Sequence, residues 1–235
     1  MPEDRPRYGT ANQAGLLRLM SWLSPAFPVG SFSYSHGLEQ AVETGFLTDL
    51  PGVVGWVAAI LRQGAARIDA ALFLEAHRAV TLGDRGRLAA IIELADAWRG
   101  TAETALESRS QGRAFVTTLQ KGWPIPALDI WLAGLESPPY ALAVAVAAAA
   151  VDIGEDMALA AFLQAVAANL VSAAVRLIPL GQTDGQRAIR ILTDLVPELV
   201  VAAGEVSFDD LGTATPMVDW TSMRHETQYT RLFRS

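Results

Sequence analysis

Along nearly the whole chain the apolar residues recur three and four positions apart, and nowhere does a two-residue alternation persist. A strand with one buried face needs that alternation, so the pattern points to helices throughout. Turn formers and caps divide them. "LTDLPG" places Asp49 as a cap with Pro51 in the first turn, and Gly83-Asp84 closes one helix and opens the next. Thr104 and Glu107 have capping-box spacing, as do Thr183 and Gln186 in "GQTDGQ". Further breaks fall at "KGWPIP", "ESPPY", "IPLG" and Pro197. The expected fold is all-α, a single-domain bundle of roughly eight to ten helices with short loops of about 2–8 residues.

With 235 residues, 51% of them hydrophobic, the chain can bury a sizeable core. The alanine-rich stretches "YALAVAVAAAAV" and "AAFLQAVAANLVSAAV" let neighbouring backbones approach closely and are expected in the central layer. No 34-residue repeat marks a helical solenoid. Residues 1–14 read as a flexible tail, 15–212 as the helical domain and 213–235 as a C-terminal docking segment, with "EVSFDDLGTATPM" as linker. The apolar run from Ala141 to Val151 is shorter than the roughly 20 residues a bilayer requires, and Gln164, Asn169 and Arg176 interrupt the next. The polar N-terminus lacks the apolar core of a secretory signal, and there is no cysteine. These features lead to the expectation of a cytoplasmic protein, outside any membrane. A net charge of −7 speaks against nucleic acid as a partner.

The residues that usually carry chemistry are sparse. The single lysine, Lys121, precedes Gly122, so no P-loop is present. His36, His77 and His225 lie far apart, without HExxH or paired-cysteine spacing, and neither a metal site nor a cofactor is expected. His36 and His77 read as partners of buried polar groups or as solvated residues. "FDDLG" reads as a solvated loop, and Ser33 and Ser35 sit in no GxSxG turn but suit helix capping. No catalytic residue is assigned.

Four stretches resemble the UreF family of urease accessory proteins. "LSPAFPVGSFSYSHGLEQAVETG" is similar to its N-terminal signature, and "LESRSQGRAF" to its central Glu-x-Arg helix. "NLVSAAVRLIPLGQTDGQR" and "RHETQYTRLFRS" resemble its two C-terminal signatures, and all four occur in the family's order from about Leu16 to Ser235. Pro139 and Ala145 stand where the family often has a histidine and a glycine. The resemblance implies a non-enzymatic helical homodimer. It would bridge the accessory protein UreD/UreH and the GTPase UreG on apo-urease, coupling GTP hydrolysis to nickel insertion. An alternative is a regulator of UreG that acts in trans through an arginine, as arginine fingers do.

On that reading three places become candidate partner contacts. In "SPAFPVGSFSYSHGLEQAV" Pro25 and Pro28 stiffen the approach, Gly30 permits the turn, and one of Ser31, Ser33 or Ser35 caps the helix running to Gly45. Phe32 and Tyr34 then either face a partner or fold back into the core. In "RLIPLGQTDGQR" Pro179 and Gly181 stop one helix, Thr183 and Gln186 cap the next, and Arg176 and Arg187 flank the corner as partner contacts or internal ion pairs. In "WTSMRHETQYTRLFRS" the i, i+3, i+4 spacing puts Tyr229, Leu232 and Phe233 on one helical face. Arg224, Arg231 and Arg234 there outnumber Glu226. This basic, aromatic end is expected to dock UreD/UreH, the alternative being a tail folded onto its own domain.

Overall fold

The computed structural model describes residues 10–235; the first nine residues of the expected tail lie outside the described residues. Twelve α-helices follow one another among the described residues, with no strand. They are α1 Thr10–Trp22, α2 Leu38–Glu43, α3 Leu50–Gln63, α4 Ala65–Thr81, α5 Arg85–Ala97 and α6 Ala102–Gly122, then α7 Pro126–Trp131, α8 Tyr140–Ala149, α9 Glu155–Leu177, α10 Gln182–Thr193, α11 Val196–Glu205 and α12 Pro216–His225. Ten run ten residues or longer, and α2 and α7 are six-residue pieces. The all-helical bundle is therefore as expected. Helix α1 begins at Thr10, so residues 10–14 are helical where a tail was expected.

Two helices of small residues make the centre. Every residue of α8 from Ala141 to Ala148 is buried, Ala145 among them, and α4, α6 and α9 pack around it. Gly112 shows how close the approach is: a Cβ there would lie 1.9 Å from the Pro138 carbonyl oxygen. The Ser108 hydroxyl of the same helix accepts from the Tyr140 amide, which fixes the start of α8 on α6. Pro139 precedes that start with extended backbone. Helix α9 is long and apolar enough, by length and composition, to cross a membrane. In this fold α1–α4, α8, α10 and α11 pack along it. Its polar residues serve that packing: Asn169 donates to the Ser31 carbonyl, and Gln164 accepts from the Thr193 hydroxyl.

Local signals set several helix ends. Asp49 accepts from the Gly52 amide with Pro51 in the first turn of α3, and Asp84 accepts from the Arg87 amide at the start of α5. Two capping boxes differ from expectation. The cap of helix α6 lies three residues earlier, at Thr101, whose hydroxyl takes the Thr104 amide while the Thr104 hydroxyl takes the Thr101 amide. Glu107 is thereby freed to point inward. Helix α10 starts at Gln182 after Gly181, which places Thr183 and Gln186 inside the helix with no side-chain cap. Packing explains the shift: Gly185 lies so close to α9 that a Cβ would stand 2.9 Å from Val175 Cγ2, so tertiary contact decides where α10 enters.

The stretch expected as linker is tied down. Arg67 on α4 donates to the Asp210 and Gly212 carbonyls, and the Ala214 amide donates to the Gln63 carbonyl at 2.7 Å. The chain is thus led onto α2 and α6, where α12 packs. Gly37 makes that contact possible: its φ is 78°, and a Cβ would stand 2.8 Å from Thr221 Oγ1 and 2.9 Å from the Ser222 amide.

Candidate functional site

The two segments expected to reach outward meet each other instead. Gly30, at φ 76°, turns the chain into a single 3-10 turn, Ser31–Ser33. After α12 the chain leaves as a strap, residues 226–235, that lies across this loop. The Arg234 amide donates to the Ser33 carbonyl at 2.7 Å, and the Ser35 amide to the Ser235 carbonyl at 2.7 Å. The Ser35 hydroxyl donates to the same Ser235 oxygen. None of Ser31, Ser33 or Ser35 is the residue from which α2 starts; that residue is Gly37. Ser33 uses its main chain to hold the strap, and Ser35 both holds the strap and accepts the Glu39 amide weakly at 3.4 Å.

A buried acid anchors the strap from below. The Glu39 carboxylate accepts from the Leu232 amide at 2.6 Å and the Phe233 amide at 2.9 Å, two charge-assisted bonds on one group. Its Oε2 also stands 3.0 Å from His225 Nε2, and His225 Nδ1 stands 2.9 and 3.0 Å from the two oxygens of Glu103. Arg231 reaches Glu103 at 3.2 Å. His225 is fully buried between the two acids. Burial pushes the Glu103 carboxyl up, outweighing the opposing hydrogen bond and charge of His225 and the charge of Arg231.

One turn along α6, Glu107 continues the network. It accepts from Gln111 at 3.0 Å and from the Ser235 hydroxyl at 3.2 Å, and lies 3.4 Å from His36 Nδ1. His36 holds a left-handed φ of 55°, unusual for a residue with a Cβ. Burial lowers its pKa, but the hydrogen bond and charge of Glu107 more than offset this and raise it overall. Beside it Arg99 binds both oxygens of Asp69. These groups edge a cavity of about 200 Å³ whose walls include Leu23, Val29, Tyr140 and Phe162, with Phe32 at its rim. Among the described residues no group of three or more His, Asp or Glu side chains is arranged to hold a metal ion.

The candidate contacts divide into four kinds: exposed side chains, buried rings, arginines lying over those rings, and an arginine paired within its own helix. Phe32, Tyr229 and Leu232 are exposed, at 66%, 104% and 65%. Tyr34 and Phe233 are buried, each at 3%, and correct the expectation that they present rings to a partner. The Arg234 guanidinium lies 6.0 Å from the Tyr34 ring centroid and that of Arg176 lies 4.3 Å from Phe233, so these arginines cover the domain's own aromatics. Arg187 pairs with Asp184 within α10 at 2.7 Å, while Arg224 is exposed. Pro28 is exposed on the approach to Gly30. The shared helical face is also corrected: α12 ends at His225, and Glu39 rather than a preceding carbonyl takes the amides of Leu232 and Phe233. With no helix there, Phe233 turns inward and Leu232 outward.

The sequence assigns no role to Glu39 or Glu103, offers Glu107 only as a capping residue, and presents His225 only as a histidine without metal-ligand spacing. The one local hint is Glu39 itself, an acid following Leu38 and two residues before Ala41.

Comparison with known proteins places this geometry in context. The UreF family model matches residues 47–193, which take in Glu103 and Glu107 but neither Glu39 nor the strap. Similarity at both ends comes from whole-chain relatives. The chain is 46% identical over 236 residues to the urease accessory protein UreF of Bradyrhizobium sp. (strain BTAi1 / ATCC BAA-1182), covering 99% of this chain and 98% of that one. It is 47% identical over 236 residues to the UreF of Granulibacter bethesdensis, covering all of both chains. With the UreF of Rhodopseudomonas palustris (strain TIE-1) the identity is 48% over 223 residues, covering 94% and 93%.

Proposed function

The chain belongs to the UreF family of urease accessory proteins, and from that premise we propose that it serves urease maturation as a non-enzymatic cytoplasmic scaffold that bridges UreD/UreH and the GTPase UreG on apo-urease, so that GTP hydrolysis drives nickel insertion. The observation that carries this reading is the pinned strap. Exposed Tyr229 and Leu232, with exposed Phe32 beside the Ser33 to Arg234 hydrogen bond, offer apolar side chains on a backbone already held in place. Little conformational entropy is left to lose when a partner covers them. Arg224, Arg231 and Arg234 around them make this edge basic on a chain of net charge −7, which suits an acidic partner surface. UreD/UreH is assigned to this edge, and the scaffold acts as a homodimer.

Co-purification with UreD/UreH tests the assignment. The double variant Tyr229→Ala, Leu232→Ala leaves every buried contact of the strap in place and is expected to lose UreD/UreH and urease activation while its melting temperature holds. Retention of UreD/UreH by that variant overturns the assignment. Single-turnover GTP hydrolysis by UreG separates the scaffold from a catalytic role in trans. A scaffold leaves the chemical step unchanged when Arg224→Ala replaces the wild type, whereas an arginine finger contributes about 10³–10⁵ in rate.

A further inference from the structure

We propose that Glu39, His225 and Glu103 form a latch loaded with one shared proton, which holds the C-terminal strap down while the proton is present and frees it when the proton leaves. The count of donors carries the inference. A neutral imidazole has one N–H and one lone pair, and an ionised carboxylate can only accept. Both ring nitrogens of His225 lie within 3.0 Å of carboxylate oxygens, one on each side. Without an added proton, one nitrogen lone pair would face a carboxylate in a site closed to water. One proton, on the ring or on an acid, turns that repulsion into a hydrogen bond. It also balances charge: Glu39 and Glu103 are met by Arg231 and the proton, and its loss leaves one buried negative charge uncompensated.

The strap responds because Glu39 serves both sides. Its Oε2 is shared between His225 Nε2 and the Phe233 amide, and its Oε1 takes the Leu232 amide. An acid repelled by the ring shifts away from the amides it anchors, and α2 and α6 no longer clamp the strap through one bridge. The charged groups facing His225 and its acids are Glu39 on α2, Glu103 and then Glu107 on α6, and Glu226 and Arg231 on the strap. The His36 and Glu107 pair lies at the strap's far end, where Glu107 accepts from Ser235. Burial also pushes the Glu103 carboxyl up, which favours a proton on that acid. The latch stands on this geometry alone; any effect on partner capture rests on the docking reading above.

Nuclear magnetic resonance of the full chain across an alkaline titration tests it. The Leu232 methyl and Phe233 ring signals are expected to move from docked to released positions in step with the His225 ring nitrogens, while core signals from α9 stay in place. Glu103→Gln should abolish the response: the new amide donates to Nδ1, the ring donates from Nε2 to Glu39, and every contact is met without the added proton. His36→Gln should retain it. Strap signals in the wild type that stay docked until the whole chain unfolds overturn the proposal, as does a Glu103→Gln protein that keeps the wild-type response. A strap that releases on schedule while UreD/UreH capture is unchanged supports the latch and counts against the docking reading.

Discussion

Of the glycines among the described residues, Gly112, where α6 meets the start of α8, leaves the least room for a side chain. A methyl group there meets the Pro138 carbonyl at 1.9 Å, which only a backbone shift relieves. Gly112→Ala is expected to cost at least the roughly 1–3 kcal/mol of an overpacked core, read as a lower denaturation midpoint in urea. His36 gives a second expectation at this scale. Its pKa is raised in the fold, so its contribution to stability is fully present below the unfolded value of about 6.5 and is lost as pH rises through the folded value. Glu107→Gln removes the main cause, and the melting temperature of that variant should fall less than wild type over the same rise in pH; an unchanged slope would refute the pairing. Residues of this kind divide by how far their partners lie along the chain. Asp49, Asp84 and Gly30 could be read from neighbours because a cap or a turn is complete within four residues. Glu39 could not, since what makes it buried and bonded is His225, 186 residues away, and the strap amides beyond it.

The strap shows the same division for a whole element. Its composition marked it as unusual, and the spacing of Tyr229, Leu232 and Phe233 read as a helix because periodicity cannot see an acid arriving from α2. A free docking arm could be cut away without loss of stability, but this segment is bonded to the domain and buries Phe233. Removal of residues 226–235 strips Glu39 of two amide donors, Glu103 of Arg231 and the domain of buried Phe233, so the melting temperature should fall. A net loss of only about 1 kcal/mol lowers it by about 2–4 °C in a chain of this size, which calorimetry resolves. A truncated protein that melts like wild type would show that the strap adds nothing to the fold. The helix starts provide a matched pair of tests. Asp84→Ala removes a cap and should cost about 1 kcal/mol, whereas Thr183→Ala, inside α10 with no capping bond, should cost far less.

At the scale of the molecule the all-helical bundle followed from one periodic pattern, but its outer surface could not, because the same apolar spacing serves an inner core and an interface equally well. Helix α12 makes the point. Val218, Thr221, Ser222 and His225 are buried toward α2 and α6, yet Met217, Trp220 and Met223 recur at i, i+3 and i+6 on the exposed side. Phe46 extends that face, its ring centroid 5.9 Å from that of Trp220. A helix already packed on its inward side that still shows an apolar outward face calls for a second layer, and among the described residues α12 has only the first. The proposed homodimer supplies the second by setting this face against its own copy, where a two-fold axis brings each residue to the interface twice. Trp220→Glu therefore places two like charges in one apolar contact while disturbing no buried hydrogen bond of α12. Sedimentation should change from a dimer in the wild type to a monomer in the variant at micromolar concentration, with the helical circular dichroism signal retained. A variant that still sediments as a dimer would move the contact elsewhere, and a wild type that sediments as a monomer would remove the dimer from the proposed scaffold.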